Sequence, residues 1–152
     1  MLGPQFEAIA RDNPQVTGFI AQMRQPNSPI KLLAFDPVTF KGFATNANVV
    51  ITQLSRSLSF DEYAREAIAE VRSLSVSNLR SAKMRLPAGR TLRLTYTLRI
   101  KVGGRVITVA TTQYAFLRPT RNVVFTYTTL PEAVSLYTPT FTTSAWSIRF
   151  SY

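Results

Sequence analysis

The stretch Thr91-Leu92-Arg93-Leu94-Thr95-Tyr96-Thr97-Leu98-Arg99-Ile100-Lys101-Val102-Gly103-Gly104-Arg105 decides how this chain folds. Leu92, Leu94, Tyr96, Leu98, Ile100 and Val102 alternate with Thr91, Arg93, Thr95, Thr97, Arg99 and Lys101. Successive side chains of a strand point to opposite faces, so the first set lines a buried face and the second a polar one. A slip of one residue would expose the whole apolar set, so the register is tightly specified. Gly103-Gly104 is a two-residue hairpin signal, because both positions of the favoured turn need a positive φ. Residues 105–116 then pair back, Pro119-Thr120-Arg121-Asn122 turns again, and residues 123–129 form the next strand.

Upstream, residues 78–86 read as a strand closed by Pro87-Ala88-Gly89. Ser59-Phe60-Asp61-Glu62 is a capping box, and Phe60, Tyr63, Ala64, Ala67, Ile68 and Val71 follow at helical spacing. Asp61, Glu62 and Glu66 stand early in that helix, where the positive end of its dipole favours them. Residues 30–35 form a short apolar strand broken by Asp36-Pro37, and residues 43–54 form a second around Val49-Val50-Ile51. Asn46 and Asn48 are expected to face solvent or to satisfy turn backbone. In the opening segment Phe6, Ile9 and Ala10 share a helical face. Asn13 then caps and Pro14 starts a helix bearing Val16, Phe19, Ile20 and Met23, which ends at residues 25–29.

The last twenty residues carry two signals. Alternation of Trp146, Ile148 and Phe150 favours a strand. A cap at Thr138, Pro139 at a first helical position, and Phe141, Ser144, Ala145 and Ile148 on one face favour a helix. The element order predicts an α+β domain, a mainly antiparallel sheet flanked by helices.

The chain has 152 residues, a length that suits a single domain over 1–152. Ten Phe, six Tyr and one Trp supply a core and exclude a disordered tail. With no Cys and no His, disulfides, thiolate or imidazole metal ligands and every Ser-His or Cys-His mechanism are excluded. No apolar run approaches the roughly 18 residues of a membrane span. Met1-Leu2-Gly3-Pro4 lacks the basic and apolar regions of a signal peptide.

The formal charge of +10 is unevenly held. Residues 1–76 carry seven bases and seven acids, whereas residues 77–152 carry eleven bases and Glu132 as the one acid. Arg80 to Arg121 contains ten bases and no acid.

Taken in order, several pieces resemble the PsbP/Mog-like α/β/α sandwich family, in particular its bacterial PsbP-like members. They are Asn46-Ala47-Asn48-Val49-Val50, then Ser59-Phe60-Asp61-Glu62-Tyr63, then Arg85-Leu86-Pro87-Ala88-Gly89-Arg90 leading into residues 92–100. Gln113-Tyr114, Val124-Phe125-Thr126-Tyr127-Thr128 and a closing Ser147-Ile148-Arg149-Phe150 complete the set. The resemblance covers roughly residues 30 to 150 and leaves 1–29 as a helical segment outside it. It implies a terminal helix over 139–148, a non-catalytic accessory, assembly or binding role, no cofactor, and an exported or cell-envelope location. The chain departs from the family in lacking a Pro-Glu-Gly-Trp-like turn before residue 30. It also lacks the His residues with which photosynthetic members bind metal.

Candidate chemistry narrows to the bases. Asp61, Glu62, Glu66 and Glu70 share a helix and read as a solvated face, with Arg65 relieving the Glu62–Glu66 repulsion. Gly103-Gly104 lacks the Lys and following helix of a phosphate loop. Lys83 and Lys101 are the lysines of the basic stretch available to a Ser-Lys nucleophile, without its Ser-x-x-Lys spacing. Phe116, Phe125, Tyr127, Phe141 and Trp146 read as core, with a small-ligand pocket as the alternative. Alternation puts Arg93, Arg99 and Lys101 on one face, hairpin pairing is expected to bring Arg105 beside Lys101, and Arg80, Lys83, Arg85 and Arg90 are expected to extend the same stripe. Arginine binds carboxylate and phosphate in bidentate fashion, so the stripe suits an acidic protein partner or another polyanion. Nucleic acid is an alternative, bound through its backbone because the polar face holds no aromatic to stack bases. Peripheral contact with an anionic membrane is another.

Overall fold

The computed structural model describes Arg11 and residues 14–151; the helical face expected of Phe6, Ile9 and Ala10 and the cap expected of Asn13 lie outside the described residues. The elements are α1 (Pro14–Met23), β1 (Ile30–Phe35), β2 (Asn46–Gln53), α2 (Phe60–Ser73), β3 (Ser77–Leu86), β4 (Gly89–Val102), β5 (Arg105–Leu117), β6 (Arg121–Thr129), a short 3-10 turn (Pro131–Ala133) and α3 (Val134–Ser147). The strands form one sheet in the order β1-β2-β6-β5-β4-β3, and every neighbouring pair is antiparallel. The α+β class and the antiparallel sheet are as the sequence predicts.

The alternating stretch is the spine of this sheet. Gly103 and Gly104 both have positive φ, 54° and 80°, which is the backbone a two-residue turn between right-twisted strands requires. The turn pairs Val102 with Arg105 and carries the β4–β5 ladder without a register shift to Leu92 and Ala115. Leu92, Leu94 and Tyr96 are buried against Tyr63, Ala64 and Val71 of α2. Burying a side chain of that size contributes roughly 1.5–3 kcal/mol relative to leaving it exposed. The opposite face packs on α3: Tyr114, Phe116, Val123 and Tyr127 meet Phe141, Ala145 and Ile148. The two clusters share no residue, so the sheet separates two cores, each closed by its own helix.

Helix α2 begins where the capping box predicts. The Ser59 hydroxyl accepts the Glu62 amide at 3.2 Å, and the Glu62 carboxylate accepts the Ser59 amide at 2.8 Å. Between β2 and β3 the chain crosses from one side of the sheet to its far edge, and α2 is the crossing segment.

Three expectations need correction. The last helix spans Val134–Ser147 rather than 139–148, so Thr138 is not its cap and Pro139 lies in its interior. Inside the helix the Thr138 hydroxyl donates to the Val134 carbonyl at 2.7 Å, and the preceding 3-10 turn, not a polar cap, starts it. The apolar face of Phe141, Ala145 and Ile148 is as read, because burial against the sheet sets it. Asn46 and Asn48 are buried, at 4% and 6% exposure, since β2 is flanked by β1 and β6. The Asn46 amide does serve backbone, donating to the Ala44 carbonyl at 3.1 Å. Of the aromatics, Phe116, Tyr127 and Phe141 are core, whereas Trp146 is 52% exposed on the outer side of α3. No helix among the described residues is long and apolar enough to cross a membrane.

Candidate functional site: the basic face beside α3

Residues directly opposite in an antiparallel pair share a face, so the register assigns each base to a side. Arg93 pairs with Tyr114 and Arg99 with Thr108, while Lys101 pairs with Val106. In β3, Arg80 pairs with Thr95 and Ala82 with Arg93. Arg80, Arg93, Arg99 and Lys101 therefore belong to one alternating set, on the α3 side with Tyr114. Arg80 and Arg93 are diagonal neighbours on adjacent strands, a relation that puts Cα atoms roughly 7–8 Å apart.

The other bases fall on the α2 side, and the single stripe expected from the sequence is two groups. Arg105 pairs with Val102, which places it in the alternating set opposite to Lys101. A two-residue turn makes 102 and 105 partners, so Lys101 and Arg105 differ in parity and part company at the hairpin tip. Lys83 pairs with Leu92, and Arg85 pairs directly with Arg90. These face the acids of α2: the Lys83 ammonium donates to the Asp61 carboxylate at 2.6 Å, and the Arg90 guanidinium lies 3.9 Å from it. Arg90 also lies 4.5 Å from the centre of the Phe60 ring. The hydrogen bond from Lys83 holds the Asp61 carboxyl below its ordinary range, helped by the charges of Lys83 and Arg90.

Glu62 and Glu66 of α2 are also engaged. Arg56 offsets the Glu62–Glu66 repulsion, donating to Glu66 and lying 3.9 Å from Glu62, and the charge of Arg65 adds to its effect on Glu62. No group of three or more metal-ligating side chains exists among the described residues.

On the α3 side the bases have no such partner. Arg80, Arg93, Arg99 and Lys101 are exposed, and none has a carboxylate within 4 Å among the described residues. The helix over this face, Val134–Ser147, contains no charged residue that could answer them. Its C-terminal carbonyls are taken by Arg149, whose guanidinium donates to Trp146 at 2.8 Å and to Ile148 at 2.7 Å.

Between α3 and this part of the sheet lies a cleft of about 420 Å³, reached by Arg80 and Arg93 and floored by Tyr114 and Phe141. Its threonines come from β4, β5 and α3: Thr95, Thr97, Thr112, Thr138 and Thr142 among them. Sequence reasoning passed over these hydroxyls. Their signal was the Thr-rich polar half of the alternation, which reads as ordinary strand surface until α3 is known to stand over it.

No family model and no curated protein matches the chain. Among solved structures it is similar to PA94 of Pseudomonas aeruginosa, a protein of unknown function, with a TM-score of 0.58 at 13% identity. The match covers 85% of this chain and 88% of that one, and at such identity the likeness is one of fold.

Proposed function

We propose that this chain is a non-catalytic accessory or binding protein of the PsbP-like kind, docking an acidic protein partner through Arg93, Arg99 and Lys101. The observation that carries this reading is the exposed alternating set of bases on β4, with no carboxylate within 4 Å among the described residues. The strand under Arg93 is held by both the β3 and β5 ladders, and under Arg99 and Lys101 by the β5 ladder. Fixed positive charge on a surface steers acidic partners and raises association rates at low ionic strength. Arg105, exposed at the hairpin tip, adds to the field from the other side.

Fluorescence anisotropy against labelled polyglutamate, random duplex DNA and vesicles rich in anionic lipid tests the reading. Wild type should bind polyglutamate in low salt and release it as salt rises. The double variant Arg99→Glu/Lys101→Glu should lose that binding while keeping its fold. Tighter binding to duplex DNA, with a steep salt slope, would replace the protein partner by nucleic acid. Tighter binding to the vesicles would replace it by a membrane surface.

A further inference from the structure

We propose that the cleft between α3 and the β3–β5 face is a binding site for a small organic oxyanion, a carboxylate or phosphate monoester carried on an aromatic body. This goes beyond the docking surface: the cleft shares Arg93 with it and adds Arg80, whereas Arg99 and Lys101 lie further along β4 towards the hairpin tip.

The two arginines supply the charge. They stand as diagonal neighbours at one wall, and neither has a carboxylate within 4 Å among the described residues. A guanidinium offers parallel N–H donors that match the oxygens of a carboxylate or phosphate, and two of them suit a group with several oxygens. Among the described residues no carboxylate lines the cleft, so no negative charge there opposes an entering anion. Thr95 and Thr112, cross-strand partners within the cleft, add hydroxyls that make no hydrogen bond among the described residues.

The floor supplies the apolar contact. Tyr114 and Phe141 are both buried to within a tenth of full burial. Phe141 is held by Tyr127, with ring centres 4.8 Å apart, and by Tyr137, stacked at 5.8 Å. Tyr114 is fixed edge-on to Tyr127 at 6.0 Å. Rings held in this way give the cleft a rigid apolar base; at 3% and 8% exposure they offer a ligand's body contact over a small area only. The cleft volume lies within the range of roughly 300–1,000 Å³ typical of small-molecule sites.

Amide NMR titration of the full chain with phenyl phosphate, phenylacetate and the neutral benzyl alcohol is the test. At least one of the two anions should bind in the millimolar range or tighter and shift the Thr95 and Thr112 amides, while benzyl alcohol binds far more weakly. Binding of one anion alone names the head group. Arg80→Gln and Arg93→Gln should each weaken anion binding about tenfold to a hundredfold, the loss of a charge-assisted hydrogen bond. Arg99→Gln/Lys101→Gln should leave it nearly unchanged, although the same double change should weaken polyglutamate binding. Failure of both anions to bind at millimolar concentration overturns the proposal. So does equal binding of benzyl alcohol, or indifference to both Arg80→Gln and Arg93→Gln. A chain that binds phenyl phosphate but not polyglutamate would keep the cleft and reject the docking surface.

Discussion

Lys83 and Arg90 leave the sheet on the α2 side and meet Asp61; Arg80, Arg93, Arg99 and Lys101 leave it on the α3 side and meet no carboxylate among the described residues. The two faces come from the same strands and the same alternation, so the strands do not explain the difference. The covering helices do. The first turn of α2 holds Asp61 and Glu62, both favoured by the helix dipole; Glu62 completes the cap and Asp61 neutralises Lys83 and Arg90 of the sheet. The sequence of α3 is Thr, Ser and apolar, so it closes a core without answering any charge. A polar, positively charged face under a neutral helix is an arrangement suited to taking an anion from outside.

The contrast is sharpest in the interior. Leu94 is buried against α2, and Leu94→Ala should cost about 2–5 kcal/mol in urea unfolding. Its neighbour Thr95 points to the half-open cleft, and Thr95→Ala should cost no more than about 1 kcal/mol. Equal losses would mean that the cleft is packed core rather than a cavity.

The helices should part ways next. Pro139 has no N–H for the Ser135 carbonyl and sits inside α3, so Pro139→Ala should stabilise the chain by about 1–3 kcal/mol. Ser59→Ala opens the capping box and should destabilise it by about 1 kcal/mol. Both are read from thermal or urea melts. A destabilising Pro139→Ala would show that α3 depends on a bend this proline provides.

The smallest effect concerns Asp61. Its folded pKa lies below the ordinary 3.8, so its contribution is present above that pH and is lost as pH falls through the folded value. Because the pair is exposed, Asp61→Asn should lower the melting temperature only slightly at neutral pH, and the difference should fade in high salt. It should also vanish at acid pH, where wild-type Asp61 is itself protonated. A difference that persists in acid would assign Asp61 a role other than its charge. At the alkaline end, burial raises the Tyr96 phenol to about 12 from the ordinary 10. The neutral folded form is thus favoured, and this contribution is lost as pH rises from 10 through 12.

Local rules made some elements readable directly. The register of β4 was fixed by Leu92, Leu94 and Tyr96, and the turn after it by Gly103-Gly104. The start of α2 was fixed by Ser59 and Glu62. The α3 start was misread because Thr138-Pro139 is a local start signal, and contact of Phe141 and Ala145 with the sheet outweighed it. The burial of Asn46 and Asn48 was not legible, because polarity says nothing about whether a strand is central or at an edge, although the backbone bond expected of them is made by Asn46. For the candidate site, parity alone placed Arg93, Arg99 and Lys101 together. The same parity, counted through a two-residue turn, removes Arg105 from their side.

What the amino-acid order settled by itself is periodicity: which side chains of a strand share a face, where a cap begins a helix, and where glycines turn the chain. Those are interactions between residues a few positions apart, and spacing is enough to read them. Tertiary structure alone decided which helix covers which face, and therefore which bases are neutralised and which line a cleft. That outcome depends on contacts between segments far apart in the chain, Asp61 with Lys83 on one side and Phe141 with Tyr127 on the other. No local pattern encodes them, because the free energy that selects them is the burial of whole faces.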